Sequence, residues 1–247
     1  MKEPAHVALA SVCTEAAAAE RELEAFCYSV THDLRAPLRA ITGFSQILRE
    51  DHGAQLDHAG RELIHDILTA ARKMSTLMDG LLSLVRLSRS ELHRERIDLG
   101  PIVRAATRFL AAGQPERQVQ VISAESMPAD ADPRLARVLI EHLLGNAWKF
   151  TSRAAAPRIE IGETECEGER AFYVRDNGVG FDMAYAANLF GPFQRLHGDR
   201  ELAGVGIGLA AAQRIIRRHG GRIWAESAVD AGATFFFTFE PASENPP

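Results

Sequence analysis

The fold is decided by a ten-residue stretch that reads Ser29-Val30-Thr31-His32-Asp33-Leu34-Arg35-Ala36-Pro37-Leu38. Apolar residues in and around it recur at spacings of three and four, the pattern of an amphipathic helix: Leu23, Phe26, Val30, Leu34, Leu38 and Ile41. His32 lies roughly 200° around this helix from Val30 and Leu34, so its imidazole is predicted to point away from the apolar stripe. Asp33 can accept a proton from one ring nitrogen and leave the other more nucleophilic. His32 and Asp33 are therefore candidate catalytic residues, and a solvated polar face is the alternative.

A helical hairpin is predicted for residues 21–90. The first helix should end near Glu50, and an alanine-rich lead-in at residues 1–20 either continues it or is a solvated tail. Two adjacent apolar rows mark the second helix: a heptad seam of Leu63, Ile67, Ala70, Met74, Leu77, Leu81 and Leu84, and a row of Ile64, Ala71, Met78 and Val85. Stripes this wide cannot both be buried within one hairpin. We therefore predict a homodimer in which two hairpins form a four-helix bundle.

Composition excludes several classes of protein. Of the 247 residues, 46% are hydrophobic and 25% charged, which is typical of a soluble globular chain. No apolar run approaches the roughly 20 residues of a membrane helix, and the N-terminus lacks a signal core, so we expect no membrane segment and a cytoplasmic location. A net charge of -5 argues against nucleic acid as a partner. The three scattered cysteines indicate neither a disulfide framework nor a zinc site.

The rest of the chain alternates between helices and strands. The periodic pattern breaks after Arg86, which predicts a linker at residues 91–98 and a second domain at residues 99–247. Helices are expected at roughly 100–111, 133–150 and 207–219, with strands at 118–123, 158–163, 171–175, 222–226 and 234–240. Asp132 followed by Pro133 predicts a helix start. The predicted fold class is α+β, with the helical hairpin followed by an α/β sandwich.

Two glycine-rich segments are candidate nucleotide contacts. Asp176-Asn177-Gly178-Val179-Gly180 places a carboxylate at a strand end, where it could accept a hydrogen bond from an exocyclic amine, although Asp-Asn-Gly is also a common turn. Gly204-Val205-Gly206-Ile207-Gly208 leads into a helix and could present backbone N–H groups to phosphates, although a flexible turn is the alternative.

These motifs, in this order, resemble the sensor histidine kinases of two-component systems. The stretch around His32 is similar to their phosphoacceptor box. The later motifs resemble the ATP-binding domain that these kinases share with Hsp90, DNA gyrase and the mismatch-repair ATPases. The histidine box and the segment Phe193–His197 look most like kinases that follow PAS or phytochrome-type sensor modules.

The resemblance assigns roles residue by residue. It implies that Asn146 helps hold Mg²⁺ against the phosphates of ATP, that Lys149 contacts the phosphates and that Asp176 reads the adenine amine. Arg195 would be a further phosphate contact, beside the phenylalanines at 190 and 193, which could equally be core residues. Glycines would frame the pocket and its lid: Gly178, Gly180, Gly204, Gly206 and Gly208.

The implied activity is ATP-dependent phosphorylation of His32, followed by transfer to an aspartate of a response-regulator receiver domain. An upstream sensor module or a separate sensor protein would control it. His142 departs from the family, because the related hydrolases carry a water-activating glutamate there and the kinases usually carry asparagine. The loop ahead of Gly232 also departs from the family, because a glycine that is common there is replaced. Ala36 is a further departure, because many relatives carry threonine or asparagine at that position. The alternative is a dimeric nucleotide-binding scaffold, or degenerate kinase, that acts through protein contacts.

Overall fold

The computed structural model describes residues 4–89, 91–194 and 206–239. The chain divides into two compact units, Met1–Arg86 and Leu87–Pro247. Across the described residues, no helix combines the length and apolar character that crossing a membrane requires.

The first unit is the predicted antiparallel helical hairpin. Helix α1 (Pro4–Asp51) and helix α2 (His58–Arg89) are joined by a short turn, in which the Arg61 guanidinium donates to the carbonyl of Leu56. Between the helices, Leu38 packs in one buried cluster with Ala71 and Met78, and Arg35 donates to Asp79 at 2.6 Å.

The two apolar rows of α2 have different environments. Ile64, Ala71, Met78 and Val85 are buried, whereas Leu63, Ile67 and Met74 of the heptad seam are 64%, 45% and 41% exposed. On α1, Leu38 is buried but Val30, Leu34 and Ile41 are exposed. The single chain therefore covers the second row, whereas the predicted seam is open at Leu63, Ile67 and Met74 and buried at Leu84.

The second unit is an α/β sandwich with a five-stranded sheet. Its order is β2-β4-β5-β7-β6, in which β2 pairs parallel with β4 and all other pairs are antiparallel. Strands β1 and β3 form a separate antiparallel pair. The strands are β1 (Glu95–Asp98), β2 (Gln120–Ser123), β3 (Pro128–Ala131), β4 (Arg158–Cys166), β5 (Glu169–Asp176), β6 (Ile223–Ser227) and β7 (Ala233–Phe237). The helices are α3 (Leu99–Gly113), α4 (Pro133–Phe150) and α5 (Gly208–Arg218), with a 3-10 helix at Met183–Asn188.

Helix α4 is the centre of this unit, because it contacts α3, α5 and β5. Its start is the predicted one: the Asp132 carboxylate accepts from the backbone N–H groups of Arg134 and Leu135, and Pro133 occupies the first turn. Leu139, Ile140 and Leu143 are fully buried along its inner face. The predicted fold class, a helical hairpin followed by an α/β sandwich, is confirmed.

Three short elements lie outside the predicted set: β1, β3 and the 3-10 helix. Strand β1 falls within the segment 91–98 that was predicted as a linker, and it pairs with β3 of the second unit. Each of these strands has only four residues, so neither shows a sustained alternation of apolar and polar positions. The predicted domain boundaries stay a prediction.

Candidate active site

His32 is highly accessible on the first unit, with 74% of its side chain exposed. Its Nδ1 lies 3.2 Å from Oδ1 of Asp33. When the carboxylate accepts a hydrogen bond from Nδ1–H, Nε2 carries the free lone pair and is the nucleophilic nitrogen. The neighbouring Thr31 is 1% exposed, so a buried and a highly accessible residue are adjacent on α1.

In the second unit, α4 connects the candidate nucleotide contacts. Asn146 and Lys149 are three residues apart on this helix, are both partly buried and therefore share a face. Within the described part of the chain, the Asn146 side chain has no hydrogen-bond partner. The Lys149 ammonium lies 4.4 Å from the centroid of the Phe150 ring. An amide and an ammonium thus lie on the same face of α4.

Asp176 ends β5 with a buried carboxylate that is 5% exposed. Its Oδ1 accepts from the backbone N–H of Gly178 at 2.8 Å. Burial raises the pKa of Asp176 to about 6, although hydrogen bonds from the backbones of Gly178 and Ala233 oppose this shift. A carboxylate held this way is a strong acceptor for an amine that enters the pocket.

The glycines after Asp176 are required by close backbone contacts. A Cβ at Gly178 would collide with the carbonyl oxygen of Phe150, the last residue of α4. Gly180 has φ of +58°, and a Cβ there would collide with the carbonyl of Ala228. The Asp176 loop therefore packs directly on the end of α4, which brings Asp176, Gly178 and Gly180 to the helix that carries Asn146 and Lys149.

The second glycine segment lies at the start of α5. Gly206 has φ of +73°, and its carbonyl accepts from the backbone N–H of Phe193 at 2.8 Å. Gly208 begins α5 beside α4, where an added Cβ would lie 3.3 Å from Nδ1 of His142. Arg195 and Gly204 lie outside the described residues.

His142 stands one turn before Asn146 on α4 and is partly buried. Burial lowers the pKa of His142, so the imidazole is neutral at pH 7. A Cβ at Gly208 would come close to Nδ1 of His142, so a larger first residue of α5 would require the imidazole to shift by a few tenths of an ångström.

Ser227 was not found by sequence reasoning. Its hydroxyl accepts from the backbone N–H of Phe181 and donates to the carbonyl of Gly232, both at 2.8 Å. It thereby joins the Asp176–Phe181 loop to the loop after β6. A single serine at a strand end carries no motif, so no sequence signal could have found it.

The chemistry of these residues fits a nucleotide-bound Mg²⁺. The amide oxygen of Asn146 is the hard kind of ligand that Mg²⁺ prefers, and it has no partner among the described residues. The described residues hold no group of three or more His, Cys, Asp or Glu side chains that could bind a metal by themselves. Phosphate oxygens would therefore have to supply most of the coordination.

Comparison with known proteins assigns both units to families. Residues 22–90 match the family model of the His Kinase A (phospho-acceptor) domain. Residues 131–243 match the family model of the histidine kinase-, DNA gyrase B-, and HSP90-like ATPase.

Similar proteins contain the two units in the same chain. Cyanobacterial phytochrome B of Nostoc sp. is 34% identical over 235 residues, which are 94% of this chain and 31% of that protein. The methanogenesis regulatory histidine kinase FilI of Methanothrix harundinacea is 37% identical over 225 residues, which are 91% of this chain and 25% of that protein. This chain thus spans a third or less of the length of these relatives.

A solved structure shows the same fold. Full-length ShkA, crystallised with AMPPNP, matches with a TM-score of 0.60 at 23% identity, over 85% of this chain and 44% of that one. The phosphoacceptor unit, the ATPase unit that follows it and the matched relatives lead to one conclusion: the chain belongs to the sensor histidine kinases of two-component systems.

Proposed function

We propose that this chain is the catalytic core of an ATP-dependent protein histidine kinase that phosphorylates His32. The observation that carries the proposal is the exposed His32 imidazole, whose Nδ1 lies 3.2 Å from the Asp33 carboxylate. The same chain contains the candidate nucleotide contacts Asn146 and Asp176. ShkA was crystallised with the ATP analogue AMPPNP, which supports ATP as the nucleotide. We also propose a cytoplasmic location, because ATP is the proposed donor.

The proposed step is an in-line transfer. The Nε2 lone pair of His32 attacks the γ-phosphorus, the bond to the bridging oxygen breaks, and its electron pair leaves with ADP. The Asp33 carboxylate accepts a hydrogen bond from Nδ1–H, which stabilises the positive charge that develops on the ring, and it takes this proton as the phosphohistidine forms. Asp176 would hold the adenine amine, Lys149 would contact the phosphates and Asn146 would offer its oxygen to Mg²⁺, which when bound neutralises phosphate charge. The backbone would approach the nucleotide closely at four glycines: Gly178, Gly180, Gly206 and Gly208. Gly204 would also frame the lid, and Arg195 would contact the phosphates.

The alternative is a dimeric scaffold that binds nucleotide without transferring phosphate, and the imidazole at His142 is the observation that favours it. Incubation with γ-labelled ATP separates the two proposals. A kinase acquires label that is stable to base and lost in acid, whereas a scaffold acquires none.

We also propose that phosphohistidine donates to an aspartate of a response-regulator receiver domain, and that a sensor module or a separate sensor protein controls the reaction. The support is the match of this chain to a part of two longer proteins, a cyanobacterial phytochrome and a regulatory histidine kinase.

Ala36 predicts a poor phosphatase. It is exposed four residues after His32, so its side chain lies beside the imidazole but offers no group to orient a water. We expect a phosphorylated receiver, freed of ATP, to decay at the same rate with this kinase as without it, and faster with Ala36→Thr. Markedly faster decay with the parent protein would show that position 36 does not limit dephosphorylation.

A homodimer is proposed from the open seam of Leu63, Ile67 and Met74. Ile67→Glu would bury an unpaired charge in such an interface, so we expect dissociation to monomers, measured by light scattering, at concentrations where the parent is a dimer. Thr69→Glu, at an exposed polar position of the same helix, is the matched control and should remain dimeric. Equal masses for both variants would contradict the predicted interface.

A further inference from the structure

Helices α4 and α5 approach each other at two places, and the one farther from the nucleotide residues has no role in the proposed transfer. At one end, Gly208 of α5 lies against His142 of α4, in the nucleotide region. At the other end, the backbone N–H of Asp132, the N-cap of α4, donates to Nε2 of His219 at 3.0 Å. The two helices therefore run antiparallel. The approach of Gly208 to His142 and the Asp132–His219 hydrogen bond lie about ten residues apart along α4, or roughly 15 Å.

The end away from the nucleotide region is a buried polar network. Asp132 is 0% exposed and His219 is 1% exposed. The Nδ1–H of His219 donates to the carbonyl of Ile215 at 2.8 Å, which leaves Nε2 as the acceptor for Asp132. Burial alone would raise the pKa of Asp132, but hydrogen bonds from the Arg134 side chain and from backbone N–H groups hold it well below its usual value.

The same network also forms hydrogen bonds with residues near the start of the second unit. We call Glu91–Arg94 the joining segment. The His93 N–H donates to Oδ2 of Asp132 at 3.0 Å, and Arg134 donates to the carbonyl of Glu91 at 3.2 Å. Arg94 donates to the carbonyl of His219 at 3.3 Å.

Arg218 makes a further tie, to the carbonyl of Leu87 at 2.5 Å. Leu87 is the first residue of the second unit and lies in the last turn of α2. Arg217, one position earlier, is exposed and makes no such contact among the described residues.

We propose that Arg94 and Arg218 are positioning residues that couple the nucleotide end of the α4–α5 pair to the joining segment and to Leu87 before it, and so set how often the nucleotide reaches His32. This inference rests on the proposed kinase function. The covalent connection between the two units runs through Leu87 and the joining segment. In this proposal, anchoring Leu87 and the joining segment to the second unit shortens the free tether between His32 and the nucleotide residues. Such restriction raises the effective concentration of one reacting group at the other. Ligand contacts at one end of the pair would in turn stabilise the contacts at its other end.

The test uses the full chain with Arg218→Gln, Arg94→Gln and the matched control Arg217→Gln. We expect Arg218→Gln and Arg94→Gln to bind ATP, measured by calorimetry, within about twofold of the parent, and to label His32 at saturating ATP at least about fivefold more slowly. Arg217→Gln should match the parent in both. Labelling as fast as the control, or ATP affinity that falls in parallel with the rate, would overturn the proposal.

Hydrogen exchange at the His93 amide tests the coupling without any phosphoryl transfer. A non-hydrolysable ATP analogue should slow this exchange in the parent and in Arg217→Gln, and have less effect in Arg218→Gln. An unchanged exchange rate in the parent at saturating analogue would refute the coupling. Absence of label in the parent would refute the kinase function instead, and the exchange result would still decide this inference.

Discussion

Replacing His32 by glutamine is expected to abolish the acid-labile label that the protein acquires from γ-labelled ATP. Glutamine is polar and of similar length, but its amide nitrogen has no free lone pair with which to attack phosphorus. His32 is exposed, so the substitution should change neither the free energy of unfolding nor ATP affinity.

His65→Gln is the matched control, because it is an exposed histidine on the other helix of the hairpin. Its labelling should equal that of the parent. Asp33→Asn provides a second comparison, since it removes the proton acceptor while keeping the nucleophile, and should slow labelling without weakening ATP binding. Label retained by His32→Gln would mean that another residue accepts the phosphoryl group.

Asp176→Asn is expected to weaken ATP binding in the presence of Mg²⁺ by at least about tenfold, since a hydrogen bond to a charged group contributes roughly 1.5–3 kcal/mol. The asparagine also presents an N–H₂ group where the adenine amine requires an acceptor. Calorimetry measures the change. Asp230→Asn is the control, because residue 230 is exposed near the same loops and has φ of +60°, which asparagine tolerates as well as aspartate. Unchanged affinity in Asp176→Asn would contradict the adenine site.

The raised pKa of Asp176 predicts two pH effects of opposite sign. ATP binding should weaken as the pH falls through about 6, because the carboxylate is then protonated, and this dependence should be smaller in Asp176→Asn. The free energy of unfolding has the opposite pH dependence. The folded-state pKa lies above the unfolded value of 3.8, so this group stabilises the fold most below pH 3.8. That contribution is lost as the pH rises through about 6.

The difference between the folded and unfolded pKa values limits the contribution of Asp176 to the pH dependence of the free energy of unfolding to roughly 3 kcal/mol. Asp176→Asn removes the cost of burying a charge and retains an oxygen for the Gly178 N–H. We therefore expect the nucleotide-free variant to unfold at the same or a higher temperature than the parent at pH 7. A large loss of stability would show that the charge itself supports the fold.

Local sequence determined the long elements and the chemistry-bearing motifs. The hairpin helices follow from apolar spacing sustained over many turns, and the start of α4 follows from Asp132 and Pro133, whose effects act within one turn. The glycines at 178 and 180 were predicted as pocket residues, and the structure supplies the reason, which is contact with Phe150 and Ala228. Their roles toward ATP stay predictions.

Only the tertiary structure decided which of two apolar rows is buried over the first part of α2. The row of Ile64 and the row of Leu63 share the same helical period and differ there only in what packs on them. Strands β1 and β3 exist because they pair with each other across about thirty residues, and four residues contain too little pattern to predict this. The same holds for the buried pair of Asp132 and His219, which are 87 positions apart. Sequence determines what is set by neighbours along the chain, whereas contacts between distant residues depend on how the whole unit packs.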